Sequence, residues 1–382
     1  MKNTKLTKTF IFLMFLLFSA FANSIAQDVY ENANNADINN SRQNAITRAS
    51  AKALPAVVGI NVTEIQNVYS PYASDPFFSF FFGDRYMKTT RKVHGLGSGY
   101  LVSPDGYIIT NHHVAGNAKE ILVTLTNGEK YPAEIIGSDM TSDVALLKIQ
   151  ANNLPYLKLS DSDDLIIGEW VIAMGNPFGL FDINTKPTVT VGVVSNLDLN
   201  MINEDTPYNR VYKGLIQTDA AISSGNSGGP LLNSNGDVIG MNTMIFSTSQ
   251  NSQGSGSIGI GFAIPVNRVK KIVDILKKGK TIDRDTYIGM DTEAINAKFK
   301  NYFNLDKNEG IFVSRIFRNS PAEKAGIELG DVILKINDRK IYNLEDYYIE
   351  VLDAAVGAKL NFEIQNNGKI SKKNVILESS KR

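Results

Sequence analysis

In the stretch "GNSGGP" (225–230), Ser227 is framed by Gly225-Asn226 on one side and Gly228-Gly229 on the other. Glycines around a serine allow a turn in which two backbone N–H groups converge on one point, which is how an oxyanion hole is built. Gly225 and Ser227 are the natural donors, with Asn226 between them. Losing one such donor typically costs about 3 kcal/mol of transition-state stabilisation. Glycine-serine turns are also common in ordinary loops, so the serine needs a base and an acid before it reads as a nucleophile. "YIITNHHVAG" offers His112 and His113 between a β-run and a helix-compatible segment. Two adjacent side chains on such a turn cannot both face one cleft, and we assign the base to His113. Asp143, in "SDMTSDVALLKI", immediately precedes a buried-looking strand, where a carboxylate could fix the imidazole tautomer and stabilise the imidazolium. Asp139 is its local rival, and a single acid in such a loop is usually a solvated charge.

Other chemistries are poorly served. The chain has three histidines, no cysteine and no H-E-x-x-H, so thiolate chemistry is excluded and neither a metal nor another cofactor is expected. Its 39 basic and 39 acidic residues balance, and no long basic run offers a grip for nucleic acid. Without disulfides, stability must come from packed cores, which 382 residues and a 43% hydrophobic fraction allow in two or three domains.

The elements that would position these residues are mainly strands. From Val57 to about Ala263, short β-branched runs such as "VVGINVTEI", "DVALLKI", "TVTVGVVSNL" and "IGIGFAI" alternate with glycine, proline and Asn-Gly turns, the pattern of an all-β barrel or sandwich. "TNGEK" reads as a hairpin turn. An insertion between Tyr69 and Thr90 carries "FFSFFF", which either folds onto its own domain or makes a subunit contact. Before the strands, Lys2, Lys5 and Lys8 precede the apolar run Phe10–Ala22, and small residues at Ala20, Ala22, Ser24 and Ala26 suit signal-peptidase cleavage. Residues 1–26 are therefore expected to be a signal peptide and 27–40 a flexible leader, with a retained membrane anchor as the alternative. Removing the signal takes three lysines and no acid, leaving the chain near −3. A short helix over 41–53, ended by Pro55, leads into the strands. "PVNRVKKIVDILKKGK" (265–280) carries an apolar stripe of Val266, Val269, Ile272, Val273, Ile275 and Leu276, and "TIDRDT" after it reads as a polar linker. The strands and two short helices of 285–380 make a small α+β module.

"GLGSGYLVSPDGYIITNHHV", "DMTSDVALLKI", "AMGNPFGL", "TVTVGVVS", "IQTDAAISSGNSGGPLLN" and "IGFAIP", in this order, resemble the HtrA (Deg) family of serine proteases. The resemblance implies a mainly β chain, with a chymotrypsin-like double β-barrel protease domain over 41–280 and a small α+β PDZ domain over 285–380. It implies His113, Asp143 and Ser227 as the triad, leaving His112 structural and His94 without a role. The position six before the serine, near the base of the P1 pocket in such proteases, is Ala221, with Ile222 beside it. An apolar floor rejects lysine and arginine; Ile258 and Ile260 are candidate walls, and Asp219 lies two positions too early for a trypsin-like role. "TYIGM" matches the loop that holds a peptide carboxylate in PDZ domains, through Tyr287, Ile288, Gly289 and Met290, and Leu344, Tyr348 and Val351 would line the groove.

The expected protein is thus an exported, ATP-independent serine endopeptidase of the periplasm or cell envelope that degrades unfolded proteins. Its PDZ domain would bind peptides with free apolar C-termini. Family likeness further implies a homotrimer. A membrane-tethered regulatory protease and a holdase with little proteolysis are the alternatives.

Overall fold

The fold was analysed in a computed structural model, which describes residues 41–69, 88–176, 184–203, 210–223, 225–245, 259–279, 281–295 and 310–380. The expected signal peptide, the leader and the "FFSFFF" insertion lie outside the described residues. Among the described residues, no helix is long and apolar enough to cross a membrane.

Strands β1 (Val57–Tyr69), β2 (Lys88–Leu101), β3 (Tyr107–Thr110), β4 (Glu120–Thr124), β5 (Lys130–Asp139) and β6 (Val144–Ile149) close into one antiparallel barrel in the order β1-β2-β3-β6-β5-β4. Strands β7 (Trp170–Gly175), β8 (Thr188–Asn203), β9 (Arg210–Thr218), β10 (Pro230–Leu232), β11 (Val238–Ile245) and β12 (Gly261–Pro265) close a second in the order β10-β11-β12-β9-β8-β7. Closure leaves no free edge, so every strand can satisfy its backbone donors and acceptors within the barrel. Val171, Ala173, Val194, Ile216, Leu231 and Ile239 fill the second barrel, whereas its Ile172 and Met174 face the core shared with the first.

Helix α1 (Ala45–Ala53) starts later than the sequence suggests, because the Asn44 side chain caps it by accepting from the Thr47 N–H at 3.0 Å. Pro55 sits in a 3₁₀ turn, Leu54–Ala56, that leads straight into β1. The one-turn helix α2 (His112–Ala115) follows β3. Helix α3 (Val266–Lys277) buries Val266, Val269, Ile272, Val273 and Leu276 against the barrels, each worth about 1.5–3 kcal/mol as an upper estimate. Ile275 departs from the expected stripe and is exposed, because it falls on the flank of the buried arc.

The C-terminal module has an antiparallel sheet in the order β14-β15-β16-β18-β19, from β13 (Thr286–Tyr287), β14 (Met290–Ala294), β15 (Ile311–Ile316), β16 (Val332–Ile336), β17 (Arg339–Lys340), β18 (Lys359–Asn366), β19 (Lys369–Ile376) and β20 (Glu378–Ser379). β17 extends the sheet from β16, and β13 pairs with β20 separately. Its helices are α4 (Pro321–Lys324), capped by Ser320, and α5 (Leu344–Leu352), capped by Asn343. The module docks on the second barrel through Lys213–Glu350 (2.7 Å) and Arg339–Asp198 (2.5 Å). The segment expected to be a polar linker is held in place: Arg284 is largely buried, pairs with Asp139 at 2.7 Å and with Asp353 at 3.2 Å, and Asp353 also takes a bidentate grip from Arg268 at 2.6 and 2.8 Å.

Candidate active site

The site assembles where the two barrels meet. Thr110 ends β3, and the single turn of α2 buries one of its two histidines and leaves the other partly exposed. His112 is 4% exposed, with its ring packed so closely on Gly116 that a β-carbon there would lie 2.1 Å from Nδ1. Burial holds the His112 imidazole below its ordinary value, against a smaller pull upwards from Asp143. The His113 side chain is 29% exposed and opens into a cleft.

Asp143 lies in the turn between β5 and β6 with φ +60°, a left-handed conformation that aspartate tolerates better than most residues. Its carbonyl accepts from the Asn111 side-chain amide at 2.9 Å and from the His112 N–H at 3.1 Å, which fixes the turn against α2. Its carboxylate is wholly buried and accepts from the His113 backbone N–H at 2.9 Å. His113 Nδ1 lies 2.8 Å from Oδ2, so Nδ1 carries a proton in that pair and Nε2 is left as the basic nitrogen. Tyr212 and Thr243 donate their hydroxyls to Oδ2 at 3.1 and 3.0 Å, and Arg210 Nε stands 4.0 Å from Oδ1. Burial pushes the Asp143 carboxyl up, but His113 and Arg210 together with the hydrogen bonds outweigh it and hold the group below its ordinary value. Asp139, the rival acid, points elsewhere: it caps the Ser142 N–H and pairs with Arg284.

Ser227 comes from the second barrel on the turn before β10. Gly228 is irreplaceable there, with φ +83° and with Ser98 O and Thr110 Oγ1 each 2.3 Å from where a β-carbon would sit. Ser98 of β2 clamps the turn: its N–H donates to Ser227 O at 3.0 Å, and its hydroxyl donates to Gly225 O at 2.6 Å while accepting from the Asn176 N–H. Asn226 is buried, its N–H bonded to Ser223 O at 3.0 Å. The Ser227 hydroxyl donates to Thr243 O at 2.9 Å, and among the described residues it makes no hydrogen bond with His113. The hydroxyl must therefore leave Thr243 O before His113 can take its proton. Unliganded sites commonly tighten only once substrate is bound.

The cleft touching both His113 and Ser227 is lined on the first-barrel side by Val62, Glu64, Val93, Gly95, Leu96 and Val114. Val62, Glu64, Val93, Gly95 and Leu96 read in the sequence as ordinary strand residues, and Val114 only as the residue after the histidine pair. On the second barrel, Ala221 is exposed, its carbonyl accepts from Thr190 Oγ1 at 2.8 Å, and it is not among the residues that line this cleft. Ile222 is fully buried in the second barrel against Gly261, and Ile260 is half-buried against the main core. Neither residue lines the cleft beside Ser227, and Ile258 lies outside the described residues. Asp219 turns its carboxylate to the Val193 N–H at 2.7 Å.

In the C-terminal module, Tyr287 belongs to β13 and Met290 opens β14, with Ile288 and Met290 buried. Gly289 has φ +74° and leaves only 2.2 Å between a would-be β-carbon and Ser320 Cβ, so no other residue fits between these strands. On α5, Val351 is buried and Leu344 half-buried, but Tyr348 is exposed and Tyr347 takes the inward position.

Residues 97–241 match the trypsin-like peptidase domain family, and residues 286–377 the PDZ domain family. A probable periplasmic serine endoprotease, DegP-like, from Chlamydia pneumoniae is 39% identical over 340 residues, spanning 85% of this chain and 66% of that protein. A Pseudomonas fluorescens protein described in the same words is 42% identical over 295 residues, spanning 77% of this chain and 57% of that one. The chain thus spans just under two thirds of the length of the chlamydial relative and less of the pseudomonad one. Among solved structures, the HtrA-type protease AlgW with decapeptide superimposes with a TM-score of 0.63 at 33% identity, covering 87% of this chain and 98% of that one. The serine endoprotease from Yersinia pestis does so with a TM-score of 0.55 at 30% identity, with coverages of 87% and 97%.

Proposed function

Because the chain belongs to the HtrA family of trypsin-like, PDZ-bearing serine proteases, we propose that it is an exported, ATP-independent endopeptidase that degrades unfolded proteins through an acyl-enzyme on Ser227. The observation that carries this is the buried Asp143 carboxylate on His113 Nδ1 at 2.8 Å, beside the glycine-framed turn of Ser227. In this reading His113 Nε2 takes the serine proton as the hydroxyl attacks the scissile carbonyl, Asp143 stabilises the imidazolium, and the Gly225 and Ser227 N–H groups receive the oxyanion. His113 then returns the proton to the leaving amine, and water attacks the acyl-enzyme by the same route. Casein digestion together with labelling by a fluorophosphonate tests it. Casein fragments and a single adduct on Ser227 are expected; intact casein with aggregation suppressed would favour the holdase reading.

Export by the segment 1–26 and assembly as a homotrimer belong to the same proposal, the first on the sequence features of that segment and the second on family likeness. Alanine rather than an acid at position 221, six before Ser227, points to cleavage after valine, alanine or similar residues. An unpaired ammonium there would cost several kcal/mol in desolvation. Mass-spectrometric mapping of casein fragments should show aliphatic P1 residues, and a majority of lysine or arginine would refute the pocket assignment.

We assign peptide C-terminus recognition to the PDZ module, by addition of a strand along β14 with the carboxylate at Ile288-Gly289-Met290. A chain ending at Asp285 keeps α3 and the Arg284–Asp139 pair, and should remain a folded protease that cleaves small peptides. It should lose the stimulation that free-acid apolar peptides give the full-length chain. A peptide can shift activity only through its differential affinity for two states. Equal stimulation by the amidated peptide, or stimulation that survives truncation, would remove this role.

A further inference from the structure

The Asp143 carboxylate belongs to the first barrel, but two of its donors belong to the second: Tyr212 on β9 and Thr243 on β11. β9 grips the Asp143 turn in two ways. The Val211 N–H donates to Thr141 O at 2.9 Å, and the neighbouring Tyr212 sends its phenol to Oδ2 at 3.1 Å. Residues two apart on a strand share a face, and Arg210 accordingly stands on the same carboxylate, 4.0 Å from Oδ1. Tyr212 is 3% exposed; burial first, and the Asp143 charge second, push its phenol far up, so it stays protonated and able to donate throughout the working pH range. Thr243 is itself oriented, since its hydroxyl accepts weakly from the Asn111 amide at 3.4 Å while donating to Asp143.

We propose that Tyr212 is a positioning residue: its phenol, with the Thr243 hydroxyl, pins Asp143 Oδ2 so that the carboxylate meets His113 Nδ1 in a single orientation. The inference rests on the reading of His113, Asp143 and Ser227 as a triad. Among the described residues, the charged and titratable groups facing Asp143 are His112 and His113 from α2 and Arg210 and Tyr212 from β9, with Asp139 nearby at the end of β5. Removing a neutral donor from the carboxylate has two consequences. With only Thr243 and His113 left on Oδ2 the carboxylate is held less firmly, which lowers turnover, and the less-solvated anion stabilises the imidazolium more strongly, which moves the acid limb of the pH–rate profile upwards.

The test is the kinetics of Tyr212→Phe, which keeps the ring and removes only the hydroxyl, beside the wild type and Asp143→Asn. We expect kcat to fall about tenfold with KM unchanged, and the acid limb to rise by about half a pH unit. A phenol with a merely structural role would lower the melting temperature and leave kcat and the limb in place, and that result in folded Tyr212→Phe overturns the inference. Should Tyr212→Phe fail to fold, proton NMR of the wild type decides: a slowly exchanging hydroxyl proton on Tyr212 is expected, and its absence also overturns the inference. If Asp143→Asn keeps wild-type activity, the triad reading falls and this role with it. If Asp143→Asn is inactive while Tyr212→Phe matches the wild type, only the Tyr212 role falls.

Discussion

Replacing Ser227 with alanine is expected to lower kcat/KM on a small chromogenic peptide by about five orders of magnitude, equivalent to about 7 kcal/mol of transition-state stabilisation. Residual hydrolysis would come from the Gly225 and residue-227 N–H groups and from substrate binding, which the substitution leaves in place. The fold should barely respond. The hydroxyl makes one hydrogen bond, to Thr243 O, whose loss costs about 1 kcal/mol. The turn is held by backbone bonds and by Ser98, none of which involves the Ser227 side chain. Peptide hydrolysis and thermal melting, measured on one preparation, check both halves. Activity above about a hundredth of wild type would sink the assignment of the nucleophile.

The two adjacent histidines should separate just as sharply. His113→Ala removes the proposed base and should cost nearly as much activity as the serine change, with little loss of stability because the ring is partly exposed. His112→Ala should do the reverse. It empties a buried site against Gly116 and should cost about 2 kcal/mol of stability, while active-site titration of the folded fraction finds most of the activity retained. Stability against pH gives an independent reading. The folded-state value of His112 is depressed, so its contribution is full above the unfolded value of about 6.5 and is lost as pH falls through that value towards the folded one. The wild type should therefore lose stability on mild acidification more steeply than His112→Ala. An inactive, well-folded His112→Ala protein would reverse the assignment of the base.

Much of this was legible because it is local. Strand runs punctuated by glycine and Asn-Gly fold into barrels, and "TNGEK" does form a turn, with Gly128 at φ +89° between β4 and β5. The glycines around Ser227 and the histidine pair after β3 stand out by residue type as candidates, and the resemblance to the HtrA family joins them to Asp143. What stayed hidden depends on pairs far apart in the chain. Nothing in "RVYKG" marks Tyr212 as a partner of Asp143, 69 residues earlier, and Ser98 reads as an ordinary strand serine until its hydroxyl is seen 2.6 Å from Gly225 O, 127 residues on. Arg284 looked solvated because it stands among polar residues, whereas two carboxylates from different domains, Asp139 and Asp353, converge on it. Tyr347 and Tyr348 are identical in type, so only the rotation of α5 decides which is buried.

The clamp made by Ser98 also bears on timing. A growing chain acquires α2 with His113 and the β5–β6 turn with Asp143 well before Ser227, and the residues proposed to align them, Tyr212 and Thr243, arrive on either side of the serine. Contacts of such long sequence separation form late in folding, after the loops between them have been closed at an entropic cost. Neither barrel alone contains the proposed machinery. A chain still unfolded, in the company of the unfolded proteins it is proposed to digest, would be their equal as a target and harmless as a blade until its last barrel seats against the first.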